Sequence, residues 1–87
     1  MILVVTYDLK QPSGSYTNLF EVLKSKDSWW HYLSSTWLVA TDETPSTLQD
    51  ELVSHIFKGD RILIVALRAE YSGWLPPKAW EWIKAHK

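Results

Sequence analysis

The fold is decided by the first nine residues, Met1–Leu9, which read MILVVTYDL. The run Ile2–Val5 is apolar and strand-forming, and a strand that is apolar on both faces belongs in the middle of a covered sheet. A carboxylate, Asp8, follows where the strand is expected to end, next to the loop Lys10–Ser15, and such ends often carry ligand or metal chemistry. We therefore predict a central strand over Ile2–Leu9 with a candidate functional residue at its carboxyl end.

Two helices and three further strands are predicted after this strand. One helix begins near Tyr16, where apolar residues recur at helical spacing, and another begins at Thr44-Pro45, a capping hydroxyl followed by a proline at the first helical position. The strands are the segments rich in apolar, aromatic and β-branched residues, Trp29–Leu33, Thr36–Thr41 and Arg61–Arg68. Residues 29–41 are interpreted as a tight hairpin around Ser34 and Ser35, with one long bent strand as the alternative.

The order strand, helix, strand, strand, helix, strand predicts an α+β fold. This βαββαβ pattern is that of a ferredoxin-like sandwich, a four-stranded antiparallel sheet with two helices on one face. Strand order 4-1-3-2 would place the two fully apolar strands side by side. We expect one domain over residues 1–87, in which residues 74–87 form an aromatic C-terminal extension of one or two helical turns that begins at a proline pair.

The second face of this sheet is apolar and has to be buried by something else, because two helices can pack against only one side. Left bare, it would expose an apolar patch of roughly several hundred Å², more than monomers usually tolerate. We predict a homodimer formed through the open sheet face and the C-terminal tail, since two-fold dimers are the commonest closed assembly. A monomer whose own tail folds back over the face is the alternative.

Composition and charge narrow the classes of partner. Nine basic and ten acidic side chains give a formal charge of −1, which argues against nonspecific electrostatic binding of nucleic acid. The chain has no cysteine, so disulfides and thiolate zinc sites are excluded.

The first apolar stretch is too short for a signal peptide, and no segment approaches the roughly 20 apolar residues of a membrane helix. We expect a cytoplasmic protein without a membrane partner.

Asp8 is the candidate metal ligand. The predicted topology brings six polar residues to one end of the molecule: Asp8, Lys10, Ser34, Ser35, Asp60 and Arg61. Two Asp8 carboxylates meeting across a dimer axis would hold one Mg²⁺ through a few direct bonds and several waters, and this ion would activate water or stabilise charge on a phosphodiester. The alternative, which spacing alone favours, is that Asp8 caps the following loop or pairs with Arg61 or Lys10.

The six tryptophans allow two interpretations. Indole rings can stack on the bases of single-stranded nucleic acid. Because few cations lie near the tryptophans in the sequence, packing in the core or at an interface is the default.

Three segments carry a resemblance to a known group of proteins. They are Val5-Thr6-Tyr7-Asp8-Leu9, the run from Trp29-Trp30-His31-Tyr32-Leu33-Ser34-Ser35 to Thr36-Trp37-Leu38-Val39, and Asp60 before an apolar strand. Over residues 1 to about 75 the chain resembles small bacterial and phage proteins that are similar to the second CRISPR-associated protein and to virulence-associated protein D.

This resemblance implies a ferredoxin-like fold, a homodimer and, as in some relatives, metal-dependent cleavage of RNA or DNA. Other relatives hold DNA for an integrase or act as toxins. By the likeness, Asp8 matches the metal-binding aspartate and Ser35 matches a serine in the nearby hairpin. The integration subunits carry arginines soon after that aspartate, whereas Lys10–Tyr16 contains one lysine, so RNA is a more expected partner than duplex DNA.

Two hypotheses of function follow. The first is a Mg²⁺-dependent endoribonuclease, a hydrolase with Asp8 and Ser35 in its catalytic site. The second is a catalytically silent dimeric interaction module that acts as a toxin, phage-defence or adaptor component. One fold hosts both, so the fold does not decide between them.

Overall fold

The computed structural model describes all residues, 1–87, and contains one four-stranded sheet and three α-helices. The elements in chain order are β1 (Ile2–Asp8), a 3₁₀ turn (Ser13–Tyr16), α1 (Thr17–Lys24), β2 (Ser28–Leu33), β3 (Thr36–Ala40), α2 (Pro45–Leu52), a 3₁₀ turn (Val53–His55), β4 (Arg61–Ala66) and α3 (Pro77–His86). Every strand pairing is antiparallel, and the order β2-β3-β1-β4 is 4-1-3-2 when read from the other edge. The predicted α+β class is confirmed.

The local signals for the hairpin and for α2 are confirmed. Strands β2 and β3 pair through Leu33 and Thr36 around Ser34 and Ser35, so the alternative of one bent strand is wrong. At the start of α2 the Thr44 hydroxyl accepts a hydrogen bond from the backbone N–H of Thr47 at 3.2 Å. Proline follows in the first turn, where its missing N–H leaves no helical hydrogen bond unmade.

One face of the sheet, here called the inner face, packs against α1 and α2. A core of nine buried side chains lies between them: Leu3, Val5, Tyr16, Leu19, Leu23, Trp37, Val39, Leu48 and Leu52. Leucines four residues apart on each helix supply the helical side, and alternate residues of β1 and β3 supply the sheet side. Each fully buried leucine contributes about 1.5–3 kcal/mol.

The opposite face, here called the outer face, packs against the C-terminal extension. This segment is longer than the predicted one or two turns, because α3 runs for ten residues from Pro77. Its Ala79 and Ile83 recur at helical spacing and lie buried with Ile2, Trp30 and Leu38. Two helices thus cover one face as expected, and a third covers part of the other.

The outer face is covered over only part of its area. Leu63 and Val65 of β4 remain 59% and 47% exposed. They pair with Thr6 and Val4 of β1, and directly opposed residues point to the same face. We call the exposed area formed by Thr6, Asp8, Leu63 and Val65 the open patch. The tail folds back, as the monomeric alternative predicts, but it leaves the open patch bare.

Candidate functional site

The polar residues expected at one end of the sheet are brought together there. Asp8 pairs with Arg61 in the β1–β4 register. The backbone N–H of Tyr7 donates a hydrogen bond to the carbonyl oxygen of Ser35 at 3.1 Å, which places the β2–β3 turn beside the end of β1. Asp8, Ser34 and Ser35 line one open cavity of about 260 Å³. The predicted juxtaposition of Asp8 and Ser35 is therefore present.

Asp8 is exposed and forms an ion pair. Its side chain is 67% exposed, and one carboxylate oxygen lies 2.8 Å from the ammonium nitrogen of Lys10. No hydrogen bond within the chain occupies the other carboxylate oxygen. The pairing with Lys10 was one of the alternatives that the sequence left open. Because both groups are exposed, the pair contributes at most about 1 kcal/mol, so another ligand can displace Lys10 at low cost.

One chain supplies one carboxylate to a metal site at this position. No group of three or more histidine, aspartate or glutamate side chains within the chain is arranged to hold an ion. Mg²⁺ nevertheless uses only one or two carboxylates where substrate phosphates and water complete its shell. A Mg²⁺ ion at this position would therefore take Asp8 as its one carboxylate from this chain, with waters, substrate phosphates or a carboxylate of another chain completing its shell.

A different carboxylate, Asp60, organises this end of the molecule. One of its oxygens accepts from the backbone N–H of Lys10 at 2.8 Å, and the other accepts from Phe57 N–H at 2.8 Å and from the Tyr16 hydroxyl at 2.7 Å. Gly59, with φ of +92°, makes the turn that brings Asp60 to these donors. Asp60 thereby fixes the backbone of the loop whose lysine faces Asp8.

The protonation state of Asp60 matches this positioning role. Burial alone would raise its pKa, but the three hydrogen bonds outweigh burial and hold the pKa below the ordinary value of 3.8. Burial also raises the pKa values of Tyr16 and Tyr7, and Tyr7 accepts a hydrogen bond from the Trp37 indole at 3.0 Å. Asp60 therefore stays ionised, and Tyr16 and Tyr7 stay neutral, near neutral pH.

A second surface lies along the free edge of β2. Its strand segment presents the exposed rings of Trp29 and Tyr32, whereas Trp30 and Trp37 are buried. Lys24 of α1 lies 5.6 Å from the centre of the Trp29 ring. We call the surface formed by Trp29, Tyr32, Lys24 and Lys78 the aromatic edge.

The aromatic edge was not predicted from the sequence, because its residues come from β2, α1 and α3, which only the folded chain brings together. Two cations lie beside these aromatic rings, since α1 contributes Lys24 and α3 contributes Lys78. The one indication of this surface in the sequence is the run Trp29–Tyr32, which places aromatic residues at consecutive positions of a strand. Aromatic residues on consecutive positions of a strand face both sides, and on an edge strand one side stays partly open.

Comparisons with protein-family models, with curated proteins and with solved structures find no match for this chain. No helix is both long enough and apolar enough to cross a membrane. The roles of Asp8 and Ser35 therefore remain predictions, and any function has to be argued from the geometry of the residues themselves.

Proposed function

We propose that this chain forms a ferredoxin-like homodimer, similar to the second CRISPR-associated protein and virulence-associated protein D, that cleaves RNA with a Mg²⁺ ion held by Asp8. The observed order β2-β3-β1-β4, with α1 and α2 on one face, supports the ferredoxin-like assignment. The resemblance in the segments around Asp8 and Ser35 supports the activity.

The open patch supports the dimer. Leu63 and Val65 are large apolar side chains that stand in one column of β4 and remain about half exposed or more. The helix on that face packs against Ile2, Trp30 and Leu38 and does not bury these two side chains. A second copy packed sheet to sheet would bury this column, and a two-fold axis lets one patch serve both chains.

The position of Asp8 is the observation that carries the proposal. Asp8 continues the open patch on β1, since it points to the same face as Thr6 and pairs with Arg61 at the start of β4. A two-fold axis through this end of the patch would therefore bring two Asp8 carboxylates near each other. Pairing of the β4 edges in one continuous sheet would instead leave them at opposite ends.

The residues around Asp8 suit a phosphodiester substrate. A bound Mg²⁺ would supply an activated water and stabilise charge that develops on the phosphate. Lys10, now paired with Asp8, would turn its positive charge toward a phosphate oxygen once the carboxylate holds an ion. The Ser35 hydroxyl lines the same cavity and would donate a hydrogen bond to the substrate.

Cleavage of labelled RNA tests the activity. We expect wild-type protein with Mg²⁺ to cleave single-stranded RNA and chelator to stop it. Asp8→Asn keeps the size of the side chain but loses the charge, so cleavage should fall at least about 100-fold. Asp50→Asn, a matched change at an exposed aspartate on α2, should leave the rate unchanged. Equal RNA survival with wild type and Asp8→Asn would remove the nuclease proposal.

The approach of the two Asp8 side chains can be tested separately, because the chain has no cysteine. A short bismaleimide should join Asp8→Cys chains into covalent dimers. Gln49→Cys, an exposed position on α2 away from the open patch, should stay uncrosslinked. Crosslinking at both positions, or at neither, contradicts the proposed packing.

A catalytically silent interaction module is the second candidate function. The observation that favours it is the ion pair of Asp8 with Lys10, in a chain that has no group of three or more histidine, aspartate or glutamate side chains arranged to hold an ion. This candidate predicts that a defined protein copurifies with the chain and that chelator does not release it.

A further inference from the structure

The aromatic edge combines features that packing of the fold does not require. Tyr32 is 77% exposed, and its hydroxyl makes no hydrogen bond within the chain. Its ring lies beside Trp30, and Trp29 lies beside Trp37, so each exposed ring is held in place by a buried one. The exposed rings are therefore preorganised for contact with a flat ligand.

Two open cavities meet at these rings. The first, of about 310 Å³, contains Lys24, and the second, of about 460 Å³, contains Lys78; both are bordered by Trp29 and Tyr32. Neither lysine forms an ion pair with a carboxylate of the chain, in contrast to Lys10 and Lys26. Unpaired cations on both sides of exposed aromatic rings are complementary to alternating bases and phosphates.

We infer that the aromatic edge binds a single-stranded nucleic acid, with bases stacked on Trp29 and Tyr32 and phosphates at Lys24 and Lys78. Bases stack on aromatic rings with little sequence preference, and lysines along the path hold the backbone. An apolar protein segment would use the rings but would gain nothing from two ammonium groups that have no carboxylate partner. A duplex hides the base faces and cannot stack on the rings.

The inference adds a substrate-binding surface to the proposed function. It rests on the proposed function for the direction in which the bound nucleic-acid strand runs. Phe20 borders both the cavity that contains Lys24 and the cavity that contains Asp8 and Ser35. A strand seated on the aromatic edge can therefore continue past Phe20 toward Asp8. Binding itself does not require Asp8 chemistry and can be measured without cleavage.

Fluorescence anisotropy of a labelled RNA of about 12 nucleotides, with wild-type protein in chelator, tests the inference. We expect the single strand to bind and the matched duplex to bind more weakly. Tyr32→Ala should weaken binding at least about fivefold, which is the low end of one lost stacking contact, and Tyr32→Trp should restore it.

Salt dependence tests the two lysines. Two phosphate contacts predict a slope of log K against log salt of about −1.4, and Lys24→Gln or Lys78→Gln should each reduce its magnitude by about 0.7. The matched controls are Trp74→Ala, which removes a fully exposed indole elsewhere, and Lys84→Gln on the same helix as Lys78. Both controls should bind like wild type.

The outcomes separate this inference from the proposed function. Binding that depends on Tyr32, without cleavage in Mg²⁺, keeps the inference and removes the nuclease. Cleavage that is unaffected by Tyr32→Ala keeps the nuclease and removes the inference. The inference also fails if no single strand binds, if the duplex binds equally, or if Trp74→Ala weakens binding as much as Tyr32→Ala.

Discussion

The inner face of the sheet packs against two helices, whereas the outer face packs against one. On the inner face nine buried side chains form a continuous core, and on the outer face five buried side chains form a smaller one. Asp8 and the exposed Leu63 lie on the outer face, beyond the reach of α3. The comparison teaches that the inner face provides stability and that the incompletely covered outer face is available for binding.

The largest expected effect contrasts leucines that serve the two faces. Leu48→Ala removes a fully buried inner-face contact and should lower the free energy of unfolding by about 2–5 kcal/mol. Leu63→Ala in the open patch should change the stability of the monomer by less than about 0.5 kcal/mol. Urea unfolding of dilute protein measures both, and equal losses would show that the open patch is not open in solution.

The second prediction concerns Asp60. Its hydrogen bond with Tyr16 connects the core on the inner face to the end of the sheet that carries Asp8. Asp60→Asn cannot accept all three hydrogen bonds and should lower stability at neutral pH. Since the pKa of Asp60 is lowered by folding, its contribution is fully present above the unfolded pKa of about 3.8 and is lost as pH falls through the folded value.

The stability difference between wild type and Asp60→Asn should therefore be constant near neutral pH and shrink below about pH 4. Thermal unfolding across this range measures the difference. A difference that stays constant down to the most acidic measurable pH would contradict the role of the buried carboxylate.

The smallest expected effect concerns Lys26, which joins the two inner-face helices. Its ammonium lies 2.6 Å from Glu43 and 2.9 Å from Glu51 and is largely buried. Lys26→Gln should destabilise the fold by about 1 kcal/mol, because the Glu43 and Glu51 side chains are 24% and 40% exposed and water can solvate them once the lysine charge is removed. The control is Lys24→Gln, whose lysine forms no salt bridge. A loss as large for Lys24→Gln would contradict the assignment.

Local signals were sufficient to predict the part of the fold that depends on short-range pattern. The apolar run of β1, the Thr44-Pro45 helix start and the Ser34-Ser35 hairpin turn each act within a few residues and are all present. The grouping of Asp8 with Ser35 also follows from strand order. The length of α3 was underestimated, because its helicity depends on Ala79 and Ile83 finding the outer face.

The rest depends on contacts between distant parts of the chain. Asp60 accepts a hydrogen bond from Tyr16, which lies 44 residues away in the sequence, so its burial depends on a contact that the local sequence does not reveal. Lys24 and Lys78 lie on either side of the aromatic edge only after α1 and α3 have packed on opposite faces of the sheet. The extent of the open patch likewise depends on which part of the outer face α3 packs against.

Sedimentation equilibrium at micromolar concentration tests the central claim, that a second copy binds the open patch. We predict that the wild-type chain sediments at twice its mass of 10.1 kDa and that Val65→Lys shifts it to 10.1 kDa. Val53→Lys is the matched control, since Val53 is 44% exposed against 47% for Val65 but lies outside the patch. A wild-type chain that sediments at 10.1 kDa, or a dimer insensitive to Val65→Lys, would contradict the account.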